Sequence, residues 1–131
     1  MTQEEKQLLL KDLCARLPYG ALVFIRKPFG CIMSETKEEE LAATTLQEFI
    51  ENDDMHVFPY LRPMTSMTEE EEYYYFGSID EMDGYKQTLT VIYQDKALEL
   101  LDWLNAHHFD YRNLIGKGLA LRAPEGMYKT E

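Results

Sequence analysis

The sequence predicts an α+β fold: a small, mainly antiparallel sheet packed with an N-terminal amphipathic helix and two further helices. Leucines recur at spacings of three and four near the start of the chain, and short β-prone runs bounded by turn residues follow. A second helical pattern stands at 94–108. With 131 residues and 45% hydrophobic content, the chain fits one core and therefore one domain, 1–131, with residues 124–131 expected to fray.

Residues 3–17 are predicted to form the first helix. Leu9, Leu10, Leu13, Cys14 and Leu17 share a face, and Glu4, Glu5, Lys6, Lys11 and Asp12 take the other. Thr2 with Glu5 forms a capping box, and Pro18 and Gly20 end the helix. Ala21 to Lys27 is β-prone, Pro28-Phe29-Gly30 reads as a turn, and Cys31 to Ser34 returns as a second strand. Residues 35–40 read as a charged loop or the start of a helix. The stretch 41–51 admits helix or strand, with the helical spacing of Ala42, Leu46, Phe49 and Ile50 favoured.

Met55 to Tyr60 reads as a strand in which Pro59 demands an edge position or a strand end. Thr65, Ser66 and Thr68 compete to cap the next helix. Ser66 stands three before Glu69, and Thr68 three before Glu71. Glutamates 69–72 suit a first turn, where the helix dipole favours negative charge. Gly77 is expected to stop this helix and 77–87 to be a loop. Thr88 to Tyr93 is β-branched and aromatic and reads as a strand. The last helix, 94–108, should bury Leu98, Leu101, Trp103 and Leu104, with His107 and His108 favoured as cations at its C-terminus. Asp110 caps a short turn ended by Gly116, and Leu119 and Leu121 pack back onto the core.

The formal charge of −11 is unevenly placed. Residues 35–83 hold 15 acidic and 2 basic side chains, whereas the remainder is nearly neutral. Phosphate binding relies on Lys/Arg clusters, so direct nucleic-acid binding is not expected. An acidic surface fits a basic protein partner. No apolar run approaches the roughly 18 residues that span a bilayer, so no membrane association is expected. The polar, acidic start differs from a secretory signal, which makes a cytoplasmic location the expectation. Cys14 and Cys31 are read as reduced packing residues.

No sequence pattern specifies a reaction. Gly116-Lys117-Gly118 lacks the remainder of a phosphate loop, and Ser34, Ser66 and Ser78 lack a GxSxG context. His56, His107 and His108 are the only histidines and form neither HExxH nor HxH, so no metal and no cofactor is implied. Tyr73, Tyr74, Tyr75 and Phe76 cover nearly a full helical turn, which forces one or two outward beside the glutamates. Exposed tyrosines of that kind suit protein recognition. Arg62 is the one base between 38 and 85, placed to pair with a nearby glutamate or to hold an anion.

Two segments, PYLRPMTSMTEEE (59–71) and DWLNAHHFDYRNLIGKGLALRAPEGMY (102–128), resemble boxes of a family of uncharacterised small proteins common in gut Bacteroidetes. The likeness covers about 40 residues. This chain departs from the pattern at Thr65 for Ser, Asn113 for Gly and Arg122 for Glu. The Asn113 change argues against a glycine-only backbone there. The resemblance implies a mobile-element or prophage-rich genome and carries over no activity or catalytic residue.

These readings converge on a non-enzymatic, acidic protein-interaction module, with binding residues Arg62, Tyr73, Tyr74, Tyr75, His107 and His108. One alternative is a small hydrolase with a site near His107, His108 and Asp110. The other is a mimic of nucleic-acid charge.

Overall fold

The computed structural model describes residues 1–29, 33–85 and 90–128; at 28–29, 33–35, 85 and 90–92 it describes the backbone alone. It contains helix α1 (Gln3–Arg16), strands β1 (Leu22–Phe29) and β2 (Met33–Glu40), helix α2 (Ala43–Glu51), strand β3 (His56–Leu61), helices α3 (Glu69–Tyr85) and α4 (Thr90–Ala106), and the short strand β4 (Leu121–Arg122). The sheet order is β2-β1-β3-β4. β1 pairs antiparallel with β2 and with β3, while β4 joins β3 in parallel at Tyr60 and Leu61. The fold is α+β, as the sequence predicts.

The Thr2–Glu5 capping box opens α1, but the buried face is rotated from the predicted one. Leu9, Asp12, Leu13 and Arg16 are buried, whereas Cys14 is exposed. Cys14 is thus not a packing residue, and Cys31 lies outside the described residues. Asp12 and Arg16, one turn apart, are both fully enclosed and joined by two hydrogen bonds of 2.7 and 3.1 Å. A buried charge is tolerable only when paired and hydrogen-bonded. Arg16 Nη2 also donates to Phe109 O (2.7 Å), and Arg112 Nη1 reaches Asp12 at 3.3 Å. This network ties α1 to the segment after α4.

Val23, Ile25, Val57 and Leu61 line one face of the sheet, where Leu9 and Leu13 of α1 and Leu46 and Phe49 of α2 cover them. Residues 35–40, expected as a loop or the start of a helix, instead form most of β2. Strand β2 occupies the sheet edge, and its run of Lys37 and Glu38 to Glu40 discourages further strand addition there. The predicted turn residue Gly30 lies outside the described residues, while Pro28 and Phe29 extend β1. The stretch 43–51 is helical, as favoured. Pro59 is inside the sheet rather than at its edge. The parallel pairing with β4 begins only at Tyr60, so the missing N–H of Pro59 interrupts no β3–β4 bond.

The largest departures lie between 77 and 93. Helix α3 continues through Gly77 to Tyr85, and residues 90–93, expected as a strand, open α4. The two helices pack against each other, and that tertiary contact overrides one internal glycine and a local β preference. The face of α4 is rotated as well. Leu100 and Leu104 are buried, but Leu98 is 60% exposed.

The last segment is better held than the sequence suggests. The Tyr128 hydroxyl accepts from Leu22 N (2.8 Å) and donates to Tyr60 O (2.8 Å). It therefore stands where the β1–β3 ladder, which ends at Val23 and Pro59, would have continued. The Asp110 carboxylate accepts from Leu114 N and Ile115 N, as predicted, and Leu119 is buried while Leu121 is half-buried. Asn113 has φ +57, so this position does require the left-handed backbone that glycine favours, and Asn is among the residues that tolerate it. Gly116 is constrained differently: a Cβ there would lie 2.6 Å from Asn113 Oδ1 and would displace that side-chain amide.

Candidate interaction surface

Helix α3 is fixed at its start by two sets of bonds. Thr68 Oγ1 accepts from Glu71 N, and Glu71 Oε1 accepts from Thr68 N, which completes a capping box. Ser66 does not cap; its hydroxyl donates to Pro63 O. Arg62 then grips the same Glu71 with a two-pronged pair of 2.7 and 2.9 Å and lies 4.2 Å from the centre of the Phe109 ring. Burial raises the Glu71 pKa, but the Arg62 guanidinium and the Thr68 bonds outweigh it and hold the carboxyl below its usual value. Arg62 therefore positions α3, and its cationic edge is already engaged.

The inward side of α3 carries Tyr74, Tyr75, Ile79 and Met82. With Met64, Met67, Leu100, Trp103, Leu104, Phe109 and Tyr111 they form a second, aromatic-rich core. Tyr74 lies over Trp103 at 4.7 Å, and Tyr75 meets Phe76 edge-on at 5.3 Å. Of the tyrosines predicted for recognition, Tyr74 and Tyr75 are thus half-buried packing residues with one exposed edge each.

The outward side differs. Glu69, Glu72, Tyr73, Phe76, Gly77 and Asp80 recur at spacings of three and four, and all are exposed. Tyr73 is 86% and Phe76 58% exposed. Two open depressions flank this stripe. One of about 760 Å³ is bordered by Glu69, Tyr73, Gly77, Asp80, Glu81 and Lys96. The other, about 570 Å³, is lined by Met64, Thr65, Met67, Tyr75 and Tyr111. Glu72 and Phe76 belong to both. The sequence reading stopped the helix at Gly77, so it missed Asp80 and the continuity of the stripe. The signal was present in the spacing of 69, 72, 73, 76 and 80.

The predicted histidines take separate structural partners. His107 lies tilted against Trp103 at 4.7 Å, has Nδ1 3.0 Å from Trp103 O, and borders the acidic first turn of α3. His108 is buried and lies parallel to the Tyr128 ring at 3.7 Å. Its φ of +63 belongs to a Schellman end of α4, where Phe109 N donates to Leu104 O and His108 N to Asn105 O. Burial, followed by the charges of Arg16, His107 and Arg62, pushes the His108 pKa down to about 4. The expectation of a favourable imidazolium at this helix end therefore fails for His108, which is neutral at pH 7. Burial likewise pushes the Tyr128 hydroxyl up to about 12. The Asp110 carboxylate is committed to its two backbone amides.

Among the described residues, no group of three or more His, Cys, Asp or Glu side chains is placed to hold a metal ion. No described helix is long and apolar enough to cross a membrane. The two boxes 59–71 and 102–128 meet directly, through the Arg62–Phe109 bridge and the bond from Tyr128 to Tyr60. No family model matches this chain, and neither a curated protein nor a solved structure is similar to it.

Proposed function

We propose that this protein is a non-enzymatic interaction module acting in the cytoplasm, and that it meets a basic protein partner through the outward face of α3. The observation that carries this reading is the exposed stripe of Glu69, Glu72, Tyr73, Phe76 and Asp80. Folding gives Tyr73 almost no burial and leaves more than half of Phe76 exposed, whereas aromatic side chains are the residues that contribute most when an interface covers them. Carboxylates one turn away select a cationic partner and steer its approach. An accessory role in a mobile element is compatible with this reading.

The hydrolase reading receives less support. The imidazole of His108 is enclosed behind Tyr128, and each oxygen of the buried Asp110 carboxylate already accepts a backbone amide. A charge mimic is also less favoured, because the acids are spread over β2, α2, the turn at Asp53 and Asp54, and α3, and on the outward face of α3 they flank aromatic rings.

Photo-cross-linking from position 73 in the native cells tests the proposal. The expected adduct contains a basic protein, diminishes at high salt, and is lost in Glu69→Gln/Glu72→Gln. Absence of any adduct, or an adduct indifferent to both salt and the glutamates, would overturn it.

A further inference from the structure

We infer that the element received by α3 is an arginine-bearing amphipathic helix, which crosses α3 with its closest approach at Gly77; this rests on the reading of α3 as the contact face. The first argument is backbone satisfaction. The walls of both depressions are side chains of α3 and α4, of the 63–67 segment and of Tyr111 in the turn after α4, so an extended peptide would find no sheet edge to pair with. A helix arrives with its own amides already bonded.

Gly77 supplies the second argument. It stands in the middle of a 17-residue helix, where alanine would be the more stable choice. A Cβ at this position would meet nothing within 4 Å, so nothing inside the chain requires a glycine there. Gly84 is also open, but it lies in the last turn, where glycine has an ordinary use. The missing side chain at 77 leaves a notch between Tyr73 and Asp80 on the exposed face. Helices approach most closely where one of them carries such a small residue.

Charge and shape supply the third. The Met64–Met67–Tyr75 depression is apolar and adaptable, which suits leucine-like anchors on one face of an incoming helix. Glu69, Glu72 and Asp80 stand beside the rings of Tyr73 and Phe76. A guanidinium can lie over a ring while pairing with the neighbouring carboxylate, a combination that an ammonium meets less well.

The probe is a synthetic Leu/Arg amphipathic peptide of about 18 residues, roughly 27 Å as a helix, which matches the length of α3. Its controls are a scramble of the same composition and a Lys-for-Arg version, and binding is measured by calorimetry. The expected order is amphipathic Arg peptide first, with the Lys version weaker by about fivefold. The scramble should be weaker by at least about tenfold. Gly77→Leu should weaken binding by at least about tenfold while its melting temperature stays at or above that of the parent. Equal binding of scramble and parent peptide, or an unchanged affinity in Gly77→Leu, overturns the inference. If no peptide binds while position 73 still captures a basic protein, this inference falls and the interaction reading stands. Failure of both experiments removes both.

Discussion

The chain builds two cores of different character. Beneath the sheet, thirteen described residues are buried, nearly all aliphatic, and they interlock α1, α2, β1, β3 and the returning segment 114–120. Between α3 and α4 the buried apolar residues among those described are Leu100, Leu104 and Phe109, surrounded by half-exposed tyrosines, methionines and Trp103. The first core is closed, although Ile50 on the outer side of α2 stays exposed. The second is closed on one side only, and its outer helix still presents Tyr73 and Phe76 to water. Buried aliphatic packing is thus concentrated in one region and exposed aromatic surface in the other, and a partner would act on the second.

The sharpest way to break this contrast is at the buried ion pair beneath α1. Asp12→Ala leaves Arg16 charged and unpaired in the interior, and should cost about 3–5 kcal/mol by denaturant unfolding. A loss below about 1 kcal/mol would show that water reaches the site. Truncation within the two cores comes next. Leu13→Ala, at a fully buried position, should cost about 2–5 kcal/mol. Met67→Ala in the half-exposed core should cost less than half as much, because part of its surface remains in water in either state. Equal losses would mean that the two regions are not differently packed.

The His108 position tests how the two regions are joined. In the unfolded chain this imidazole titrates near 6.5 and in the folded chain at about 4. As pH falls, the unfolded state therefore takes up the proton first. Stability is unaffected above the unfolded value and declines between about 6.5 and about 4, by at most about 3 kcal/mol. His108→Asn keeps a residue suited to positive φ and should flatten this part of the pH profile. A slope that persists unchanged in the variant would assign it to other groups.

The smallest stability effect is expected at the proposed contact face. Tyr73→Ala should change unfolding free energy by no more than about 0.5 kcal/mol, since the ring touches little of the fold. The same change should weaken binding of the amphipathic Arg peptide by at least about tenfold. A large destabilisation would move Tyr73 into the structural framework and weaken the contrast between the two cores.

Much of the framework was legible in the residues themselves. Thr2 and Glu5, Thr68 and Glu71, and Asp110 before its turn are local devices, and a short-range bond needs only correct spacing. The strand expected at 21–27 followed from β propensity, although Pro28 and Phe29, expected in a turn, extend it, and the helical spacing favoured for 41–51 matches α2. The readings failed where distant contacts decide. Asp12 looked like a surface residue because its partner Arg112 and the enclosing 109–112 segment lie 100 residues away. The strand reading of 88–93 failed, in its described part, because β-branched residues are tolerated in a helix that has a neighbour to pack on. For the candidate surface, the aromatic run at 73–76 was visible, but which rings faced outward was not. That depended on where Trp103 and Phe109 stood.

The sequence by itself determined the class of fold, the caps, the acidic middle and the presence of more aromatic rings than one helix face can hide. Only the tertiary structure decided that α3 runs through Gly77, that Arg62 is committed to Glu71, and that Tyr73 and Phe76 remain uncovered. The physical reason is range. Capping and periodicity act over three or four residues, whereas the exposure of a ring depends on every element that does or does not pack over it.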